Sequence, residues 1–162
     1  MENHESHVNR IRLAEQQFRL ACTVHPAVTI KTQPLDVPME WTFGKHRVSY
    51  ADFGLRSDQA PEAALALKRS AMYILASTIL SVIKAVFPNP KIHSDPRVVS
   101  AYQISRMIRN AFSHSTLTPQ WSIDPDCRDK TFAIDGVITL NAAELNGQFV
   151  DWRHYGGPLE GV

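Results

Sequence analysis

The chain has 162 residues, 44% hydrophobic and 20% charged, which fits one soluble domain whose core hides roughly 70% of the unfolded surface. A formal net charge of +1 excludes a whole-molecule polyanion binder and argues against tight nonspecific RNA binding, so any contact with nucleic acid has to come from a local patch. The two cysteines, Cys22 and Cys127, lie in no CxxC pattern; they make neither a disulfide framework nor a tetrahedral zinc site and read as ordinary thiols of a reducing cytoplasm.

The N-terminus, MENHESHVNR, is polar and mixed in charge, unlike a signal peptide. From about Glu5 to Thr23 an apolar stripe of Val8, Ile11, Ala14 or Glu15, Phe18 and Cys22 predicts a helix. His25-Pro26 should close it, because a residue before proline resists the helical region. Residues 26–60 read as an irregular loop with short β pieces. VTIKT and WTFGKHRVSYA alternate like strands, the second around a Gly44-Lys45 turn, and Pro34 and Pro38 break the stretch.

Pro61 opens a long helix to about Phe87, since proline at a first helical position forfeits no bond. Its run AMYILASTILSVIKAVF, Ala71 to Phe87, is interrupted by Ser77, Thr78, Ser81 and Lys84. It is shorter than the ~20 residues of a membrane span and reads as a central core helix. Pro88-Asn89-Pro90 ends it. Ser94-Asp95-Pro96 supplies a cap and a first-turn proline for a third helix from about Pro96 to His114. Val98, Ala101, Tyr102, Ser105, Ile108, Ala111 and Phe112 form its inward stripe. Thr131 to Leu140, TFAI-DG-VITL, predicts a β-hairpin on a type I′ turn at Asp135-Gly136, with WSI before Asp124 as a candidate third strand. Asn141 to Glu144 resembles a capping box for a short helix stopping at Gly147. His154-Tyr155 and Gly156-Gly157-Pro158 form a turn that packs an aromatic onto the body.

The stretch IRNAFSHSTLTP, Ile108 to Pro119, carries the candidate chemistry. At 100° per residue Arg106, Asn110 and His114 form one row up the helix. Arg109 lies about 60° beside Arg106, and His114 about 140° from Arg109. Arg109 and His114 therefore share a target only if the helix bends near Phe112 or a second copy of the chain faces the first. The plainer account is that cations and amides at a helix C-terminus answer the dipole and the orphan carbonyls. His4 and His7 one turn apart lack the further ligands of a metal site. Glu40, His46 and Asp52 read as surface polars. No phosphate-cradling glycine loop and no Gly-x-Ser-x-Gly elbow is present.

From Pro96 to Pro119 the segment resembles the diagnostic helix of the HEPN superfamily (higher eukaryotes and prokaryotes nucleotide-binding), whose hallmark is an arginine, a polar residue and a histidine after four to six positions. Arg109, Asn110 and His114 match it. The apolar helix before the proline-rich break FPNPKIHSDP, and TPQWSI after the motif, resemble a bacterial and plasmid-borne branch, over about residues 60–125.

The resemblance implies a mainly α helical bundle, a single domain over 1–162 with a small C-terminal antiparallel hairpin. Its parts are a first helix at 1–25, the loop at 26–60, a core helical hairpin at 61–115 and an appendage at 116–162. It also implies a cytoplasmic homodimer that cleaves RNA without metal or other cofactor, as a toxin or defence effector with an antitoxin or other protein partner, and no membrane. His114 would act as general base or acid on the ribose 2′-OH, Arg109 would hold the phosphate, and Asn110 would orient His114 or the phosphate. Arg106 is an expected extra phosphate contact. The alternative from another class is a non-catalytic HEPN-like module that binds a nucleotide or a protein and dimerises.

Overall fold

The computed structural model describes residues 4–30, 40–49 and 55–155. Expectations for Lys31-Thr32, for Tyr50, Asp52 and Phe53, and for the Gly156-Gly157-Pro158 turn lie outside the described residues. The architecture is mainly α with small antiparallel hairpins. In chain order it runs α1 (His4–Thr29), β1 (Glu40–Phe43), β2 (His46–Ser49), α2 (Ala60–Val86), α3 (Pro96–Ser113), β3 (Thr131–Ile134) and β4 (Ile138–Asn141). Single 3₁₀ turns occupy Pro90–Ile92 and Trp152–Tyr155.

α1 does not stop at His25. Proline at position 26 removes an N–H from the helical ladder, yet the helix continues to Thr29. Ile30 N donates to the Pro26 carbonyl at 3.0 Å, and the Thr29 hydroxyl donates to the His25 carbonyl at 2.8 Å. Val28 is buried in a small cluster with Ala60 and Ala64 at the start of α2, so tertiary burial carries the helix past its local breaker. α1 buries Ala14, Ala21 and Val28, every seventh residue, and packs along α2.

α2 has Pro61 in its first turn and packs against both α1 and α3, which share no comparable contact with each other. It therefore stands in the middle of the bundle. Among the described helices it alone is long and apolar enough to cross a membrane by length and composition, and it is partly buried here.

α3 starts on the expected cap: Asp95 Oδ1 accepts the Arg97 N–H at 2.9 Å. Its apolar side, with Ile104, Met107, Ile108, Ala111 and Phe112, joins Trp121, Cys127, Phe132 and Leu140 from the following hundred-and-twenties and hairpin in the main core. Of the expected inward stripe, Ser105, Ile108, Ala111 and Phe112 are buried, whereas Val98, Ala101 and Tyr102 are half-buried and Ser100, Gln103, Ile104 and Met107 are buried instead.

Three local expectations need correction. The hairpin pairs Ile134 with Ile138, leaving a three-residue loop, and Val137 N donates to the Ile134 carbonyl at 3.0 Å. Gly136 takes φ 70° while Asp135 stays negative, so the turn is not type I′, which needs both positive. WSI does not extend this hairpin. Gln120 instead bridges Phe149, with Trp121 N donating to the Gln148 carbonyl and Gly147 N to the Trp121 carbonyl, each at 2.8 Å. Finally, residues 142–147 form turns rather than a helix. Asn141 Oδ1 caps the Ala143 N–H at 3.1 Å, but Glu144 returns no bond to close the box, and its carbonyl accepts the Gln148 side-chain amide at 2.6 Å.

Candidate functional site

α3 stays helical through Ser113, and His114 keeps helical dihedrals (φ −86°, ψ −34°). The bend near Phe112 that would let Arg109 and His114 converge within one chain is absent. The row and the flanking arginine are therefore distributed around a regular helix end, and each residue meets a different environment.

Arg106 faces inward, with its side chain only 15% exposed. Its Nη2 donates to Asp126 Oδ1 at 2.7 Å and to Cys127 Sγ at 3.1 Å. Its Nε lies 3.2 Å from Asp124 Oδ2, a charge contact without the alignment of a hydrogen bond. The guanidinium also sits over the Tyr102 ring, 5.7 Å from its centroid. Burial pushes the Cys127 thiol pKa up, so at neutral pH it keeps its proton and donates to Gln103 Oε1 at 3.3 Å. Asp126 is also reached by Lys91 Nζ at 2.9 Å. Expected as an extra phosphate contact, Arg106 is held by partners inside the chain.

One turn further on, Asn110 is drawn into the same network. Its Nδ2 donates to Asp124 Oδ2 at 3.3 Å, and its Oδ1 accepts from Arg109 Nη1 at 3.0 Å. With one N–H and one lone pair engaged, half of the amide's capacity is committed, and it is committed to Arg109 and Asp124. Arg109 itself is exposed and, among the described residues, pairs with no carboxylate. Asp124 and Asp126 are not singled out by sequence reasoning. Their role depends on separations of 14 to 20 positions along the chain, which no local pattern announces.

His114 is exposed, and its ring makes no hydrogen bond among the described residues. It lines a cleft of about 430 Å³ together with Ala111, Ser115, Thr118, Gln120, Trp121, Ser122, Asn146 and Gly147. Neither Arg109 nor Asn110 lines that cleft. The structure thus brings Arg109 to Asn110, while His114 opens onto a cleft that neither of them lines.

The cleft's walls are tied down from several sides. Arg69 of α2 donates from Nη1 to the Leu117 carbonyl, a tether that sequence patterning had not singled out. The Ser115 and Thr118 hydroxyls bond each other at 2.9 Å, and Gln120 N donates to the Ala111 carbonyl at 3.2 Å. Trp121, 1% exposed, donates its indole N–H to His154 Nδ1 at 2.9 Å. The 3₁₀ turn at Trp152–Tyr155 is thereby tied to the body through His154, while Trp152 stays 53% exposed.

The basic residues near the motif divide in the same way. Arg97 pairs with Asp95, Lys91 with Asp126, and Arg106 with Asp124 and Asp126, whereas Arg109, Arg128 and Lys130 make no ion pair among the described residues. No group of three His, Cys, Asp or Glu side chains among the described residues is placed to hold a metal ion. Comparisons of the chain with protein-family models, curated proteins and solved structures found no match.

Proposed function

We propose that this chain is a metal-independent endoribonuclease of the HEPN type, acting in the cytoplasm as a homodimer and serving as a toxin or defence effector. The observation that carries the reading is the state of the two motif ends. His114 stands exposed and unbonded at an open cleft, while Arg109 stands exposed with no carboxylate to neutralise it. A histidine that merely capped the helix would be bonded to its last carbonyls. Because the helix is regular and the two side chains diverge, the site is composite. His114 of one copy meets Arg109 of the other across the RNA.

In that arrangement His114 removes the proton of the ribose 2′-OH as the oxygen attacks the adjacent phosphorus. Arg109 of the second copy lies against the non-bridging oxygens and offsets the charge gathering on them. The P–O5′ bond breaks, the 5′-oxygen takes a proton from water, and the product carries a 2′,3′-cyclic phosphate. DNA lacks the nucleophile and is spared. Asn110, engaged by Asp124, holds Arg109 rather than His114. The exposed side chains of Leu117, Phe149 and Trp152 lie on segments hydrogen-bonded to each other beside the cleft, Val150 N donating to the Pro119 carbonyl at 2.9 Å. That apolar area supports a second copy docking there.

The test is RNA cleavage in EDTA by wild type, His114→Ala, Arg109→Ala, and an equal mixture of the two variants refolded together. Each variant alone should lose at least about 10²-fold in rate, the usual share of a general acid or base. The mixed dimer contains one intact composite site, so activity should return in the mixture. A mixture as inactive as its components would exclude the shared site, and wild-type activity matched by His114→Ala would exclude the histidine. An inactive wild type that still dimerises would favour the non-catalytic module.

A further inference from the structure

The His114 cleft has a chemical character that the cleavage reaction does not by itself require. Its volume of about 430 Å³ falls within the roughly 300–1,000 Å³ of small-molecule sites. Apart from His114, no lining residue is ionisable. A phosphate would find no arginine or lysine there, and a cation would find no carboxylate. What the cleft offers instead is uncharged hydrogen-bonding capacity.

Three side chains supply that capacity. The Gln120 amide and the Ser122 hydroxyl are exposed and make no hydrogen bond among the described residues. Asn146 uses its Oδ1 to accept the Ile123 N–H at 3.0 Å, which fixes the amide's orientation and leaves its Nδ2 uncommitted among the described residues. Donors and acceptors thus stand together at one opening. Ala111 and Trp121, each only 1% exposed, pack behind the lining rather than opening onto it, and the backbone pairing of 119–121 with 147–150 sets the spacing of the walls before any ligand arrives. A preformed site of this kind loses little ordering entropy on binding.

We infer that this cleft is a nucleobase subsite: it takes one splayed base of a single-stranded RNA, next to His114, and reads its edge with Gln120, Ser122 and Asn146. A base is uncharged, planar, and carries adjacent donors and acceptors on its rim. Unpaired bases read at their edges are the usual means of sequence-specific RNA recognition. The division of labour follows from the charges: Arg109 on the outer surface answers phosphate, and the neutral cleft answers the base. The choice of RNA as ligand rests on the ribonuclease reading, and the consequence is that cleavage is selective for the base seated beside the scissile bond.

The experiment uses the whole chain and the dinucleoside monophosphates carrying each of the four bases, made with a 2′-deoxy upstream sugar, which cannot be cleaved. Binding is followed by NMR on the side-chain amides of Gln120 and Asn146 and on the Trp121 indole N–H. One or two of the four bases should shift these signals saturably, and an abasic analogue should not. Ser122→Trp should block the cleft and abolish the shifts. Gln120→Ala, an exposed change that leaves the fold intact, should weaken the preferred base by roughly three- to tenfold, the value of one hydrogen bond. Equal binding of the abasic analogue, or shifts confined to residues around Arg109, would overturn the subsite. Cleavage without cleft shifts would remove the subsite and spare the nuclease, whereas base binding in a chain that cleaves nothing would do the reverse.

Discussion

The body formed by α3 and residues 119–150 treats its large apolar side chains differently from the α1–α2 layer. In the first, Trp121, Met107 and Leu140 are at most 1% exposed and meet in a single cluster. In the second, α1 buries only Ala14, Ala21 and Val28, while its Leu13 and Leu20 are 68% and 65% exposed. Small residues bring two helices close but bury little area each, so the α1–α2 contact gains less per residue than the core beneath the hairpin. The candidate site stands on the well-packed side. A cleft whose walls must hold their spacing belongs where local opening costs most.

The sharpest way to break this comparison is the same substitution made in both regions. Leu140→Ala should destabilise by about 2–5 kcal/mol, through lost burial and an unfilled cavity. Leu20→Ala should stay within about 0.5 kcal/mol, as surface changes do. Urea denaturation of the two variants checks both values. Comparable losses would mean that α1 is covered in solution and that the two regions are not different in kind.

Next in size is the polar network that joins α3 to the 124–127 turn. Arg106→Ala leaves Asp124 and Asp126 without their shared cation, and about 2–4 kcal/mol should be lost. This is somewhat under the cost of breaking a fully buried pair, because the aspartates are 41% and 30% exposed. The same network gives a pH signature. Lys91 above all, with Arg106, holds the Asp126 pKa down to about 2, against about 3.9 in an unfolded chain. A carboxyl depressed in the folded state contributes fully above the unfolded value, and its contribution disappears as pH falls through the folded one. Wild-type Tm should therefore drop between about pH 4 and pH 2, and the drop over that window should be shallower in Arg106→Ala. Calorimetry at a series of pH values reads the difference.

The contrast between regions also explains how far the sequence could be read. α2 and α3 were legible because Pro61 and Asp95-Pro96 act within a few residues, where sterics and capping decide; Asp135-Gly136 located the β3–β4 hairpin but not its three-residue turn. α1 outran His25-Pro26 because Val28 finds Ala60 and Ala64, a contact between distant positions that outweighs one lost backbone bond. Asn141 to Glu144 failed as a helix start for the converse reason: Asn141 caps, but the following turns are held by pairing to residues 119–121. At the site, helix geometry alone separated Arg109 from His114. It could not tell that Arg106 points to aspartates or that Asn110 faces Asp124, because those partners arrive through tertiary folding. The uncharged lining of the cleft was invisible for the same reason, since it joins residues 111–122 to 146–147.

The smallest effect probes whether the cleft wall is held by backbone conformation or by packing. Gly147 lines the cleft with φ 83°, and a Cβ built there would meet no atom within 4 Å. Gly147→Ala therefore adds no clash; its cost is the left-handed backbone alone, about 1 kcal/mol. Gly147→Asn should cost less than Gly147→Ala, because asparagine enters that region more readily. Both variants should keep the Trp121 N–H to Gln148 carbonyl bond, read as unchanged hydrogen-exchange protection at Trp121. A loss of several kcal/mol in Gly147→Ala would reveal a packing contact at this position. No loss at all would mean that the segment relaxes away from its left-handed turn, and a wall that relaxes so freely could not hold a base against His114.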